Sequence, residues 1–440
     1  MIRQLLAIFS IIILLTIVTF PFVSSSDQIS TIDNNSVIKR YDSGWLKEID
    51  GVTVVYLKGS HYEMGYQYGS LVGEKCLQSY RAFIYFSQQA GITYENLLKK
   101  WEYKKQFVSK NHLDEMQGIA DAIGVTIEYV AIGNFANARS FDRTEMDCIN
   151  FVCLNPSTSD GKMYHGYSYD FHMKNVDPVT GINIVQENQI LLIHDPDDGY
   201  AHIGISVAGY IIELSGLNEF GLAISSSRCW SHDESDTALN TGDTMKYALE
   251  NCYDAQEAVN LFSTNKTKGL AYIISDAKTE DTYVVEVNAN LTYVGTWNSP
   301  VESNPPFWEI DHVLRRANLY LNKTLSKTER EIYNPKSIFL WILGKNYYYP
   351  FWRHYRALSI GIQKNWGNLN HKTMMEILKK TYNGNYDIMF FFATRLRLLE
   401  SWYQWVICPE TGDMWYKIAG NGYSAFNNQI HYVNFYDLLT

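Results

Sequence analysis

The sequence lacks the features by which nucleic-acid-binding proteins and many metalloproteins are recognised. No basic run is longer than Lys99-Lys100, and the formal net charge is −10 with a pI near 5.6. Binding to a phosphate backbone needs a basic field, so this composition argues against nucleic acid as a partner. No Cys-X-X-Cys or His-X-X-X-His spacing indicates a metal site. From the sequence we therefore expect neither a bound metal nor a cofactor.

The chain also lacks internal repeats and low-complexity linkers. Of its 440 residues, 46% are hydrophobic, 15% aromatic and 19% charged, which is the composition of a globular protein. A chain of this length can bury a large core, and its length allows either one large domain or two to three smaller ones.

The first 25 residues predict a secretory signal peptide. A single positive charge at Arg3 precedes an apolar stretch from Leu5 to Val23, and Ser24-Ser25 offer small residues for signal peptidase. The apolar stretch is long enough for an uncleaved anchor as well, but Pro21 favours cleavage. We therefore expect a secreted or lysosomal/endosomal protein with no stable membrane anchor once the signal is removed.

Glycosylation sequons and cysteines fit the same compartment. The six cysteines are expected to pair in an oxidising lumen, although a nucleophilic Cys148 would leave an odd number for pairing. Four Asn-X-Ser/Thr sequons predict surface glycosylation, at Asn34, Asn265, Asn290 and Asn322.

Hydrophobic periodicity predicts an α+β protein with its sheets in the middle. Residues 60–140 have mainly a helical period, residues 162–297 mainly alternate as strands, and helices return after Trp308. Specific predictions are a mobile leader at 27–44, a strand at 210–214, one helical stretch at 243–262, helices at 309–325, 352–363 and 372–381, and short strands within 405–435.

Cys148 lies in a predicted hairpin. Two β-prone runs, 146–153 and 162–171, flank a cluster of turn-forming residues between Pro156 and Gly161. If the turn centres near Ser159, Cys148 lies opposite the carboxylate at position 170.

Alternation along such a hairpin predicts a polar face that holds Cys148, Asn150, Ser168 and Asp170. A thiol would then lie next to an acid on a rigid support. The alternative is a buried or disulfide-bonded structural cysteine.

Taken in order, several segments resemble the penicillin acyltransferase-like, or isopenicillin N acyltransferase, cysteine family of the N-terminal nucleophile hydrolase superfamily. No single segment is specific, but their order is kept over nearly all of residues 51–440. The similar segments are His61 to Gly69, Leu113 to Val125, Asp147-Cys148, His165 to Phe171, Gly216 to Ala223 and Tyr272 to Glu286.

The resemblance implies a four-layer αββα sandwich that cuts itself before a nucleophilic cysteine. The cut would fall between Asp147 and Cys148, giving a helical small chain of residues 26–147 and a catalytic large chain of residues 148–440 that stay partners. The freed α-amino group, with a reference pKa of about 7.7 to 8.0, can take the thiol proton near neutral pH.

The resemblance also assigns two supporting residues. Asp170 would orient the amine of Cys148; its alternative is an ordinary acid at a strand end. Asn304, in Ser303-Asn304-Pro305-Pro306, would donate to the oxyanion; its alternative is a turn residue before proline. The substrate-binding residues are not identified by the sequence.

The implied activity is a self-processing cysteine amidohydrolase or acyltransferase that acts on an amide or thioester of a small-molecule or lipid acyl substrate. One alternative is a lipid amidase or phospholipase B-like hydrolase. In that case the aromatic run 347–352 would line the pocket for the acyl chain of the substrate; the other interpretation of this run is that it packs in the core. Another is an inactive secreted glycoprotein, because Tyr167-Ser168 and Ser227-Arg228 replace the Arg-Asn and the Asn common in relatives.

Overall fold

The computed structural model describes residues 37–134, 147–172, 174–235, 237, 241–330, 349–388 and 399–440. The strands are β1 Val37–Tyr41, β2 Gly44–Ile49, β3 Val52–Gly59, β4 Asp147–Cys153, β5 Tyr164–His172, β6 Gln189–Pro196, β7 His202–Val207, β8 Ser215–Asn218, β9 Leu222–Arg228, β10 Leu270–Asp276, β11 Asp281–Val287, β12 Thr292–Gly295, β13 Val313–Arg316, β14 Leu399–Cys408, β15 Asp413–Ile418 and β16 His431–Asn434. The helices are α1 His61–Gln89, α2 Tyr94–Lys104, α3 Lys110–Ile123, α4 Ile127–Asn134, α5 Ile184–Glu187, α6 Thr241–Asn251, α7 Ala255–Thr264, α8 Lys323–Ser326, α9 Tyr349–Lys364, α10 His371–Tyr382 and α11 Phe435–Leu439.

The strands form two sheets. One has ten strands in the order β1-β2-β3-β6-β7-β8-β9-β10-β11-β12, and the other has six in the order β13-β4-β5-β14-β15-β16. Neighbouring strands are antiparallel except β3 and β6, which pair in parallel. The chain between β3 and β6 includes α1–α4 and also β4 and β5 of the smaller sheet, so it is long enough for the crossover that a parallel pair requires.

The two sheets pack face to face, and helices cover both outer faces. Residues that alternate inward, such as Leu191 and Ile203 of the large sheet and Trp405 of the small one, form the core between the sheets. On the outer side of the large sheet, α1, α3 and α4 pack on β3 and β6, whereas α6 and α7 pack on β9 to β11. Helices α9 and α10 cover the small sheet. The predicted αββα sandwich is therefore confirmed.

Helix α1 begins at a capping box and crosses α3 at van der Waals contact. Ser60 accepts from the backbone N–H of Glu63, whose carboxylate accepts from the Ser60 N–H. Gly65 lies against the carbonyl of Glu115, so a Cβ at this position would collide with the α3 backbone. Glycine at this position therefore allows the close approach of α3.

Three of the local predictions are wrong, and one is confirmed with added detail. The predicted leader contains strand β1 at 37–41, and the predicted strand at 210–214 is irregular backbone just before β8. The stretch 243–262 is helical as predicted and consists of two helices, because Asp254 caps the start of the second. The predicted helix at 309–325 contains a strand instead.

That strand, β13, is extended because its two arginines alternate across the sheet. Arg315 Nε donates to Ser359 Oγ of α9 at 2.7 Å, whereas Arg316 points between the sheets to Glu286 and Glu302, both at 2.7 Å. In a helix these two adjacent side chains would lie only about 100° apart, so they could not reach contacts on opposite faces. Tertiary contacts therefore override the local helical propensity.

The signal peptide, Asn34 and any anchor within residues 1–36 lie outside the described residues. Within the described ranges, no helix combines the length and the apolarity needed to cross a bilayer. All six cysteines are described and buried, and none is in a disulfide, so the expected pairing is wrong. The domain division at residue 147 stays a prediction.

Candidate active site

The hairpin around Cys148 forms, but its register differs by one residue from the predicted one. Cys148 lies opposite Tyr169, and Asp170 lies opposite Asp147. The loop between the paired residues Cys153 and Tyr164 centres half a residue earlier than expected, and a one-residue shift exchanges the faces of one strand relative to the other. The predicted polar face that combined Cys148 with Asp170 is therefore wrong.

Cys148 points into the space between the two sheets. It is 1% exposed and belongs to the inter-sheet core together with Tyr167 and Tyr169. The hydroxyl of Tyr167 lies 3.9 Å from the Cys148 sulfur. Tyr167 therefore contacts the thiol at the position where many relatives of the resembled family carry arginine.

Asp170 points to the other face of β5, toward α10. Its carboxylate accepts from the hydroxyl of Tyr382 and from Ser168 Oγ, the latter at 2.8 Å. Gln404 Nε2 donates to the same serine at 3.1 Å. Asp170 is 1% exposed, so it is held in a buried polar network rather than at a strand end in solvent. Its role toward the Cys148 amine stays a prediction.

The backbone N–H of Cys148 is held by a residue that the sequence reasoning missed. It donates to Asn318 Oδ1 at 2.5 Å, and Asn318 Nδ2 donates to the carbonyl of Arg228 at 3.0 Å. Asn318 is 2% exposed and follows β13, which pairs with β4 so that Arg316 lies opposite Asn150. Continuing that register brings position 318 beside position 148. Only the pairing of β13 reveals this, because the sequence pattern indicated a helix there.

Asn304 occupies a different kind of position. It follows a short 3-10 turn, Pro300–Ser303, where its N–H donates to the carbonyl of Val301 and its own carbonyl accepts from Phe307. Asn304 is partly exposed and is not among the described residues that line the cavity at Cys148. The structure therefore places it as a turn residue, and its oxyanion role stays a prediction.

A cavity of about 190 Å³ opens beside Cys148. Its wall is dominated by aromatic and aliphatic side chains from both sheets, which makes it suited to an apolar group. These side chains are Tyr167, Tyr169, Ile205, Val207, Tyr210, Ile212, Leu214, Leu270, Trp402 and Tyr403.

Cationic side chains also line this cavity. They are Lys104, Arg228 and Lys268. Glu234 lies 2.7 Å from Arg228 and 3.7 Å from Lys268. Burial raises the pKa of Glu234, but the charges of these two residues and of Arg330 outweigh burial and lower it. The cavity therefore has an apolar wall and a cationic portion.

The other singled-out residues have structural contacts. Asn218 ends β8 and supports the turn that follows: its Oδ1 accepts from the N–H groups of Phe220 and Leu222. Ser227 Oγ donates to Asn150, so this hydroxyl lies near the nucleophile strand. Of the aromatic run at 347–352, Phe351 and Trp352 pack in the core under α9, and residues 347 and 348 lie outside the described ranges.

The remaining expected features were the cut and the glycans. Asp147 begins β4, and its peptide link to Cys148 is the predicted cleavage point. Asn290 is exposed, whereas Asn265 and Asn322 are partly exposed. Glycosylation and cleavage both stay predictions.

Comparison with known proteins gives one family match. The model described as acyl-coenzyme A:6-aminopenicillanic acid acyl-transferase matches residues 165–339. An uncharacterized protein of Archaeoglobus fulgidus is 25% identical over 282 residues, which is 56% of this chain and 45% of that protein. The chain thus spans less than half the length of this curated relative.

Solved structures are similar at low identity. An N-acylethanolamine-hydrolyzing acid amidase ortholog from Caenorhabditis elegans has a TM-score of 0.39 at 16% identity, covering 60% of this chain and 93% of its own. Penicillin V acylase from Agrobacterium tumefaciens has a TM-score of 0.39 at 13% identity, covering 66% and 86%. A mutant of conjugated bile acid hydrolase from Clostridium perfringens has a TM-score of 0.35 at 15% identity, covering 66% and 93%.

The fold assignment rests on the two sheets and their helical layers described above. The family match covers strand β5, most of the large sheet and β13. Residues 165–339 match the acyl-coenzyme A:6-aminopenicillanic acid acyl-transferase family, which confirms the resemblance predicted from the sequence.

Proposed function

We propose that the protein is a self-processing cysteine amidohydrolase or acyltransferase that forms an acyl-cysteine intermediate on Cys148. The family match supports acyl transfer or amide hydrolysis as the reaction class. The observation that carries the assignment of the residue is the position of Cys148: a buried thiol at the start of a strand, on the wall of an apolar cavity, with its backbone nitrogen held by Asn318.

Cleavage of the Asp147–Cys148 bond would turn that backbone nitrogen into a free amine. In the uncut chain the Cys148 N–H donates to Asn318 Oδ1, and this acceptor would go on orienting the amine after the cut. The amine takes the proton of the thiol, because its reference pKa of about 7.7 to 8.0 suits a base near neutral pH. The Cys148 residue then supplies both the nucleophile and the base.

The reaction follows from these two groups. The thiolate attacks the substrate carbonyl carbon to give a tetrahedral adduct, and the protonated amine returns its proton to the leaving group as the carbon–nitrogen or carbon–sulfur bond breaks. Water or an acceptor amine then attacks the acyl-cysteine, and the thiol is regenerated.

The cavity lining indicates the acyl group. Tyr167, Tyr169 and Trp402 present ring surfaces and Ile205 and Val207 present aliphatic surface, so an aliphatic or aromatic acyl chain is better accommodated than a charged one. This lining also keeps the lipid amidase alternative open, and comparing turnover of a ceramide, a lysophospholipid and an acyl-amino acid would separate the two.

The test combines intact mass with N-terminal sequencing of each fragment. Wild-type protein should yield a large chain that begins at Cys148, whereas Cys148→Ala should remain one uncut chain without turnover. Cys252→Ala is the matched control, because Cys252 is also buried but lies on the outer side of the large sheet, against α6 and α7. Normal processing and turnover by Cys148→Ala would overturn the proposal.

The inactive-glycoprotein alternative has its own test. An acyl electrophile probe should label wild-type protein at Cys148, located by peptide mass mapping, and should not label that position after substitution by alanine. Processed protein whose Cys148 resists the probe and that turns over none of the acyl substrates would favour a binding role.

A further inference from the structure

A buried polar cluster lies on the helical side of the large sheet, behind the face that lines the Cys148 cavity. All nine side chains are at most 4% exposed, which is unusual for so many ionisable groups in one place. They come from α1, α3, β6, β7, the segment before β8, and α6. The members are His61, His112, Glu115, His194, His202, Glu213, Asp243, Lys246 and Glu250.

Three of these side chains converge on one point. His194 and His202 lie directly opposite each other across β6 and β7. His194 Nδ1 is 3.1 Å and His202 Nε2 is 3.5 Å from Glu213 Oε1. Tetrahedral zinc bonds of about 2.0–2.1 Å to nitrogen and oxygen imply ligand–ligand separations of roughly 3.3 Å. Both distances to the Glu213 carboxylate therefore match those between two ligands of one ion, and all three ligand atoms lie within 4.8 Å of one another.

Both histidines are oriented by a hydrogen bond on their other ring nitrogen. His194 Nε2 lies 2.9 Å from Glu115 Oε1, and His202 Nδ1 lies 3.1 Å from the carbonyl of Tyr200. A ring N–H directed to a carboxylate or a backbone carbonyl is the arrangement that supports metal-binding histidines, because it leaves the opposite nitrogen as a ligand. Here each opposite nitrogen is the one that faces Glu213.

The inward atoms have no hydrogen-bond partner outside the triad. Among the described residues, this holds for His194 Nδ1, His202 Nε2 and both carboxylate oxygens of Glu213, all buried. A buried carboxylate with no other donor is costly, so a positive charge, carried by a protonated histidine or by a bound cation, must compensate it.

The charges of the cluster are such that a divalent cation would balance them. Four carboxylates face two cations, which leaves two negative charges when the remaining histidines are neutral. Lys246 lies 2.9 Å from Glu115 and 3.4 Å from Glu250, and His112 bridges Glu250 and Asp243. Glu213 is the fourth carboxylate, and its Oε1 faces both His194 and His202.

We propose that His194 Nδ1, His202 Nε2 and the carboxylate of Glu213 bind one divalent transition-metal ion, with Zn²⁺ as the expected species. Two imidazoles and a carboxylate suit zinc better than calcium or magnesium, which prefer oxygen ligands alone. This site lies outside the proposed catalytic residues and does not depend on the proposed function.

The ion would join three separate segments of the chain behind the cavity wall. Glu213 immediately precedes Leu214, which lines the Cys148 cavity, and Ser215, whose Oγ accepts from the indole N–H of Trp405 at 2.9 Å. The site is therefore a structural one that positions the cavity wall without touching the substrate.

The test uses the full-length protein and measures the metal directly. Elemental analysis and native mass spectrometry should find one zinc per chain. Treatment with 1,10-phenanthroline and EDTA should remove it and lower the unfolding temperature, and added Zn²⁺ should restore both. Replacement by Co²⁺ should give the visible absorption of a tetrahedral site.

Two isosteric variants and one control assign the ligands. Glu213→Gln and His202→Gln should lose the ion, whereas His112→Gln, in the same cluster but outside the triad, should keep it. No metal in wild-type protein, together with no binding of added Zn²⁺ or Co²⁺ and no thermal shift, would show a cluster balanced by protons alone and overturn the proposal. Full retention by both ligand variants would overturn it too. If the variants do not fold, the wild-type measurements alone decide.

Discussion

The two faces of the large sheet hold opposite kinds of site. On the inner face, Ile203 and Ile205 of β7 contribute to the apolar core and cavity around Cys148. On the outer face, the neighbouring His202 belongs to a sealed cluster of charges. Alternation along one strand thus separates a mainly apolar cavity from the buried polar cluster by the thickness of a single sheet. The thiol of Cys148 lies among mostly apolar side chains because the ionic groups of this cluster point to the other face of the sheet.

The largest expected effects distinguish the two faces: a substitution on one face should leave the property of the other face unchanged. Cys148→Ala should abolish cleavage and turnover while leaving metal content unchanged, because its side chain lies in the inter-sheet core. Glu213→Gln should remove the metal while chain cleavage still occurs. The measurements are fragment mass and zinc per chain on the same preparations. Loss of zinc in Cys148→Ala would contradict this prediction, because it would show that the two faces depend on each other.

The next effect tests the charged contact between the sheets. Arg316 donates to Glu286 of the large sheet and to Glu302, and all three are fully buried. Arg316→Met should lower the free energy of unfolding by about 3–5 kcal/mol, because two buried carboxylates lose their partner. Chemical denaturation measures this. The control is Arg353→Met, which should matter less because its partner Asp387 keeps a second arginine, Arg356, at 3.0 Å. Equal losses of unfolding free energy in the two variants would show that the ion pairs of Arg316 stabilise the fold no more than that of Arg353.

A smaller effect is expected at Asn318. Asn318→Leu removes the acceptor of the Cys148 nitrogen, so the rates of processing and turnover should fall about 10- to 100-fold, which corresponds to the roughly 1.5–3 kcal/mol of a hydrogen bond to a charged group. Asn318→Asp keeps an acceptor oxygen and should retain more activity. Time-resolved fragment analysis measures the rate of processing, and substrate assays measure turnover. Unchanged rates in the leucine variant would contradict a positioning role for Asn318 and favour Asp170 in that role.

The smallest effect is a pH dependence of stability from the charged face. Burial lowers the pKa of His112, but Asp243 and Glu250 outweigh burial and raise it to about 10 from an unperturbed 6.5. A raised histidine pKa means that protonation stabilises the fold fully below about pH 6.5, and this stabilisation is lost as pH rises toward 10. The difference in unfolding temperature between wild type and His112→Gln should therefore shrink across that interval. A constant difference would contradict the assignment of charge to His112.

Local patterns in the sequence predicted much of the framework. The helices of α1, α3, α4, α9 and α10, most strands of the large sheet, and the hairpin that carries Cys148 follow from periodicity and turn residues. These features depend on neighbours within one element, which the order of residues displays directly.

Pairing between elements was not readable in the same way. The hairpin strands are joined by a ten-residue loop, and a shift of one residue in their register decides whether Asp170 or Tyr169 lies opposite Cys148. The segment of β13 has a helical pattern, yet pairing with β4 extends it and brings Asn318 to the nucleophile. The absence of a metal motif with close spacing was equally uninformative, because His194, His202 and Glu213 come together only across paired strands.

By itself, the sequence determined through its periodicity that the protein is α+β with its sheets in the middle. Its ordered local motifs carried the family resemblance, which implied the αββα layering and the cysteine proposed to react. Only the tertiary structure decided which side chains surround that cysteine, that the six thiols stay unpaired, and that buried charges gather behind the cavity. The physical reason is that strand register and sheet packing bring together residues far apart in the chain, and no local pattern records those distances.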